Sequence, residues 1–420
     1  MRKALFLSIA LSLAVAIGCG VDATGSSIAS PSPQTDGGTD AGPTTSPPPG
    51  DDGGPVTIDG SPGEDTGIPF KPAHLTPGSF DLGQPDVILT GAVTIDTTQL
   101  TITPTAAGKL RETSPTAPVV WSVGALTIDK DAVVSVAGTR ALVIVAAKSV
   151  SIQGRVIARG LKTIPGPGGG ATGMGPSPGA LGTVNNQSNR VGGGGGAGFA
   201  QAGGNTASAN TGGVGGVAIT TMLTSALVGG SGGANGGMRS EVCDMVGKGV
   251  GGGGGGALQI SSPMSISLLA GAVFDLRGGA GTGGCGGAQR LGGGGGGGAG
   301  GMLFLESSVA ISVTGAIDAR GASGGEGGDD GGAAAGGADG NEAPDLPDVS
   351  NAPQADGNGN GGRGGTGGAP GKVPGQGFQG GDGSGGGGGS MGRIYLRTSG
   401  SEPMRTNATL LGDVVVDKTF

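Results

Sequence analysis

The sequence predicts an all-β protein: an irregular parallel β-helix or solenoid with long Gly-rich insertions, preceded by a disordered tether. A β-sandwich of the same strands is the alternative. Three observations carry this expectation. Apolar residues come as i, i+2 pairs, which point to one face of a strand. The pairs recur every eight residues, at Leu126 and Ile128, Val134 and Val136, Leu142 and Ile144, Val150 and Ile152. Longer units built from such pairs return in distant parts of the chain, separated by glycine.

The N-terminus reads as an address. Residues 1–19, MRKALFLSIALSLAVAIGC, begin with Arg2 and Lys3 and continue as an uncharged apolar stretch, Ala4 to Ile17. That length suits a signal peptide and is short for a membrane span. Ala16-Ile17-Gly18-Cys19 resembles the bacterial lipobox. The resemblance implies cleavage before Cys19 and acylation of that residue, with palmitate-type chains holding the protein to a membrane. Each buried CH₂ contributes about 0.8 kcal/mol, so two or three chains anchor stably. Gly20 stands where Asp favours inner-membrane retention in such lipoproteins. The implied location is therefore the cell envelope, and the outer membrane if the cell is diderm.

Domains follow from composition. Residues 1–18 are the signal peptide and 19–69 a Ser/Thr/Pro/Gly/Asp-rich tether that has nothing to bury. Residues 70–420 form one interrupted domain. GAVTID at 91–96 returns as GALTID at 124–129, and β-branched residues dominate. LVIVAAKSVSIQGRVIARG (142–160) aligns without a gap with LFLESSVAISVTGAIDARG (303–321). LQISSPMSISLLAGAVFDLRG (258–278) is a longer version, and RIYLRT (393–398) with TLLGDVVVD (409–417) a degraded one. Each unit has one apolar face and cannot bury it alone, so stacked units are expected to share a core.

Glycine supplies 104 of the 420 residues. The Gly-rich segments at about 163–256, 279–301 and 322–392 read as insertions leaving the stack at one corner and returning at the next. Ordering glycine is costly, and only backbone hydrogen bonds and close approach can offset it. These segments are expected either to be disordered or to bundle as extended, threefold polyglycine-type helices, the geometry of the collagen axis. They resemble the Gly-rich regions of the PE-PGRS proteins of acid-fast bacteria, without the PE module. That resemblance implies exposure at the cell surface.

Few side chains offer chemistry. The formal charge of −8 and the scarcity of aromatics argue against a nucleic-acid partner. G-x-S-x-G occurs around Ser231, Ser323 and Ser390, but none lies between a strand and a helix pattern, and the one histidine is His74. Cys243 and Cys285 lack zinc-ligand spacing and read either as a disulfide clamping two insertions or as two free thiols. Asp356, Asn358 and Asn360 fall in calcium-loop spacing, although Gly367 replaces the required Glu. Acids between Glu326 and Asp356, including Asp329, Asp330, Asp339, Asp345 and Asp348, read as a solvated loop or a weak divalent-cation site. Arg159, Arg277 and Arg320 recur at the same place in three units. They are either corner residues that bond carbonyls or a neighbouring unit's acid such as Asp275 or Asp318, or a row of cations facing an anionic glycan.

The expected function is that of a membrane-anchored structural or adhesive lipoprotein, without catalysis, cofactor or metal, whose partners are the membrane and a cell-envelope glycan or neighbouring surface protein. A carbohydrate-binding or polysaccharide-cleaving protein is the alternative. A groove with acids and aromatics along the arginines would favour the alternative, and a flush surface the structural reading.

Overall fold

The computed structural model describes residues 70–420 apart from 186–189, 208–210, 221–225, 240–248, 288–290, 330–335, 356–360, 381 and 419–420. Cys19, Cys243, Asp356, Asn358, Asn360 and the tether lie outside the described residues.

Among the described residues there are 21 short strands and no helix. The first ten are β1 (Val87–Leu89), β2 (Ala92–Asp96), β3 (Thr101–Thr103), β4 (Lys109–Glu112), β5 (Val119–Val123), β6 (Leu126–Ile128), β7 (Val133–Ala137), β8 (Leu142–Ala146), β9 (Val150–Ile152) and β10 (Arg155–Ile157). A hairpin of β11 (Val184–Asn185) and β12 (Arg190–Val191) follows. The rest are β13 (Ala257–Ser262), β14 (Ile266–Leu268), β15 (Val273–Asp275), β16 (Met302–Ser307), β17 (Ile311–Val313), β18 (Ala316–Asp318), β19 (Arg393–Thr398), β20 (Thr409–Leu411) and β21 (Asp413–Asp417).

Apart from the hairpin, the strands form three sheets. One has five strands, β1-β6-β9-β14-β17; the others have seven, β20-β18-β15-β10-β7-β2-β3 and β21-β19-β16-β13-β8-β5-β4. Successive i, i+2 pairs go to different sheets, so Leu126 lies beside Val150 and Val134 beside Val156. The aligned units meet in register: Leu258 pairs with Leu142 on one side and Leu303 on the other. Their inward side chains form one apolar cluster that includes Trp121, Leu142, Leu258, Phe274, Leu303 and Ile394.

This arrangement corrects the expected β-helix or solenoid with looped-out glycine. The sheets are mixed: β3 pairs antiparallel with β2 after a reversal through Leu100 at a φ of 54°, and β4 pairs antiparallel with β5. A β-sandwich is not formed either, since sandwich sheets are antiparallel and most pairings here are parallel. The larger correction concerns the glycine. The Gly-rich segments do not loop away from the sheets; they form a second packed body. This body, together with residues 70–86, covers the outer face of the sheet, which is why β5, β8, β13 and β16 are buried on both faces. Outward residues of this wall sheet, such as Val143, Met302, Phe304 and Tyr395, join a second apolar cluster with Ala197, Phe199, Leu227 and Ala299 of the Gly-rich segments.

Residues 292–301 show how the body is built. The N–H groups of Gly293, Gly296 and Ala299 donate to Gly237, Ala234 and Ser231, a neighbour running antiparallel. Those of Gly294, Gly297 and Gly300 donate to Ser384, Gly387 and Ser390, a parallel neighbour. Those of Gly295, Gly298 and Gly301 donate to Thr282, Gly279 and Leu276, a third neighbour. The carbonyls in turn accept from three further segments, among them Gly194 and Ala197, Gly252 and Gly255, Ala322 and Gly325. A chain that serves a different neighbour with each residue in turn is a threefold helix, as in polyproline II. Of the two fates expected for the glycine, the described residues take the bundled one.

Packing this close excludes side chains. A Cβ on Gly296 would overlap the carbonyl of Gly195, one on Gly297 that of Ala322, and one on Gly386 that of Gly295. None of these three has a positive φ. Glycine is needed here for approach, not for a left-handed backbone.

Candidate functional site: an arginine ladder and its cover

The densest polar cluster grows from the end of the repeated unit. β10, β15 and β18 lie side by side, so Ile157, Asp275 and Asp318 occupy one row. Two residues further along each unit come Arg159, Arg277 and Arg320. The i, i+2 spacing returns Arg277 and Arg320 to the face of their own acids, whereas Arg159 follows Ile157 and has none in its own unit. Arg277 donates from Nε to Asp275 Oδ1 at 2.8 Å and from Nη2 to Oδ2 at 2.7 Å. Arg320 holds Asp318 in the same fork, from Nε at 2.9 Å and Nη2 at 2.6 Å. Such paired charge-assisted bonds are the strong, geometrically specific ones. The rows also couple diagonally: Arg159 lies 3.6 Å from Asp275, and Arg277 lies 3.7 Å from Asp318.

Residues 342–350 close the outer side. Asp345 Oδ1 accepts from Arg277 Nη2 at 2.6 Å, and the Ala343 carbonyl accepts from Nη1. The carbonyls of Pro344, Asp348 and Ser350 take the remaining donors of Arg320. Glu342 and Asp345 each lie 3.8 Å from Arg159, and Glu342 also accepts from the backbone N–H of Lys162. The side chains of Arg277 and Arg320 are 3% and 0% exposed, and that of Arg159 29%. Burial works against the charge on Arg277, but its bonds to Asp275 and then to Asp345 outweigh it and hold the proton more tightly than usual. The Arg277 hydrogen bond holds the Asp345 carboxyl below its ordinary range.

The acidic stretch is therefore not a solvated loop where it meets these arginines. A small hollow of about 160 Å³ remains, lined by Arg155, Asp275, Arg277, Asp318 and Asp345 together with Val273 and Leu346, with no aromatic ring. The surface is close to flush. Of the two readings of the repeated arginines, the corner reading matches their contacts. Among the described residues no three His, Cys, Asp or Glu side chains gather as a metal-binding group.

The other sequence candidates lie apart. Ser231, Ser323 and Ser390 are buried in the glycine body. Ser231 accepts from the Ser177 N–H, Ser323 exchanges bonds with the Asn341 backbone, and Ser390 donates to the Met391 carbonyl. His74 lies instead on the wall sheet, its Nδ1 2.7 Å from Gln259 Oε1 and its ring edge-on to Phe304. Cys285 takes part in a disulfide.

A second polar cluster was not anticipated. Glu306 is buried on the outer face of β16 under residues 70–86. It accepts from the Ala73 N–H and Ser261 hydroxyl at 2.9 Å each, and from Arg397 at 2.9 Å. Burial pushes its carboxyl up, against the pull of those bonds and of the Arg397 charge. The alternation of Gln259, Ser261, Glu306 and Arg397 was visible in the strands, but it reads as a solvent face unless something is known to cover it. The arrangement offers saturated guanidinium–carboxylate forks and a buried clasp, whose hydroxyl–carboxylate pair, Ser261 with Glu306, is closed off from solvent.

No family model matches this chain, and no curated protein or solved structure was found similar to it.

Proposed function

We propose that this chain is a structural or adhesive protein of the cell envelope, held to a membrane through acylated Cys19 and presented by residues 19–69. The observation that carries the non-catalytic part is the arginine ladder: its cations are spent on Asp275, Asp318, Asp345 and backbone carbonyls, under a cover that leaves little room for a polymer chain. The lipobox motif Ala16-Ile17-Gly18-Cys19 supports the anchor. Among the described residues no helix is long and apolar enough to cross a membrane. The partners are the membrane and an envelope glycan or neighbouring surface protein. In a diderm cell the outer membrane is the expected site.

Cys19→Ser is expected to release the protein from the membrane fraction; continued sedimentation with membranes would overturn the anchor. A glycan array probed with the chain from Gly20 onward tests the remainder. Strong binding that is lost in Arg159→Ala would favour the carbohydrate-binding alternative.

A further inference from the structure

We propose that copies of this chain associate head to tail, with β21 of one copy adding to β4 of the next. Both strands are terminal in the same seven-stranded wall sheet, and among the described residues neither has a strand on its other edge. Unpaired edges of this kind are templates for another strand. The Asp413 N–H donates to Gly392, on the β19 side. In a parallel pair alternate residues bond to the same side, so the backbone groups of Val414 and Val416 face the open edge.

The side chains on the two edges are complementary. Across β16, β19 and β21 one outer row runs Glu306, Arg397, Asp417, with Arg397 2.9 Å from Glu306 and 3.7 Å from Asp417. The row at the other end of the strand places Arg393 3.1 Å from Asp413. The charges alternate and end on acids, so the next position calls for cations. β4 reads Lys-Leu-Arg-Glu. Its Leu110 joins the inner apolar cluster, which puts Lys109 and Arg111 on the outer face. Arg111 already lies 3.5 Å from Asp81, while Lys109 is exposed. Laid antiparallel, the strands would set Lys109 against Asp417 outside and Val416 against Leu110 inside.

The ends of the core agree. Leu100, Ile102 and Ala106 are only half-covered at the β3 and β4 end, as are Ala408, Leu410, Val414 and Val416 at the β20 and β21 end. The latter end also carries a shallow hollow of about 610 Å³ beside Ala408 and Leu410, with Arg405 on its rim. Because different surfaces meet, the contact is heterologous: it adds copies into a ring or an open filament and does not stop at a two-fold dimer.

Sedimentation of the chain from Gly20 onward, which keeps every described residue, is the test. The mean mass should rise with concentration past that of a dimer and fall as salt is added. Lys109→Glu should weaken association about tenfold or more, the scale of one lost ion pair, with an unchanged melting temperature. Asp417→Lys should do the same, and an equal mixture of the two variants should recover growth, because each supplies the edge the other lacks. If Asp417→Lys fails to fold, the Lys109→Glu arm decides alone. A chain that stays monomeric at low salt, a mass that stops at the dimer, or a Lys109→Glu variant that assembles unchanged would each overturn the proposal.

Discussion

The apolar core and the glycine body share a wall and follow opposite rules. In the core, identity lies in side chains: Leu142, Leu258 and Leu303 meet because each fills space the others leave. In the body, identity lies in what is missing, and Gly296 holds its place because any added carbon would strike Gly195. The core hides its backbone in sheet ladders, with two neighbours per strand. Residues 292–301 use six, in three directions. Two routes thus satisfy the same requirement that buried N–H and C=O groups be paired: one also gains from burying carbon, and the other relies on hydrogen bonds and backbone contact.

Substitutions can break this contrast in order of size. Phe274→Ala removes a fully buried ring from the core and should cost about 4 kcal/mol, read as a lowered denaturation midpoint. Gly296→Ala should cost about 3 kcal/mol although it adds a single carbon, because the backbone must part to admit it. Hydrogen exchange should then quicken at Gly252, Gly294 and Gly387 before it quickens in β16. Fast exchange throughout 292–301 in the unaltered protein would remove the basis of the comparison. Gly91→Ala is the control: this glycine has a φ of 64° and open space where a Cβ would sit, so only the left-handed backbone is penalised, by about 1 kcal/mol. The smallest effect belongs to Glu306. Its folded carboxyl titrates above its unfolded value, so its contribution is fullest in acid and is lost as pH rises through the folded value. Melting of the protein relative to Glu306→Gln should therefore improve as pH falls from neutral toward the ordinary glutamate range. An unaltered protein that loses ground to Glu306→Gln as the pH falls would contradict this sign.

How much of this could be read from the chain depended on whether side chains carried the message. Strand register was legible, since alternation and an eight-residue step name the residues that pair. Asp275 and Asp318 were legible as partners of a neighbouring unit's arginine, which they meet at 3.6 and 3.7 Å, but their closer forks with Arg277 and Arg320 of their own units were not. Residues 342–350 were not, because the segment meets Arg277 from more than 60 residues away, through Asp345, one acid among several in its stretch, and through the Ala343 carbonyl that any sequence could supply. Glu306 was missed because its cover, residues 70–86, lies more than 200 residues away. The architecture was misjudged for a related reason. Glycine gives no pattern of faces, so bundled and looped-out chains look alike until their neighbours are known.

The threefold repeat has one more effect. A glycine run that slips lengthwise by a full turn meets the same partners it left, so its register must be fixed at its ends, by residues such as Leu291 and Met302. Gain or loss of three glycines within a run keeps every later donor aimed at the same neighbour, whereas gain or loss of one would rotate each of them toward the wrong one. In the body, then, the unit of tolerated change in length is the triplet of residues.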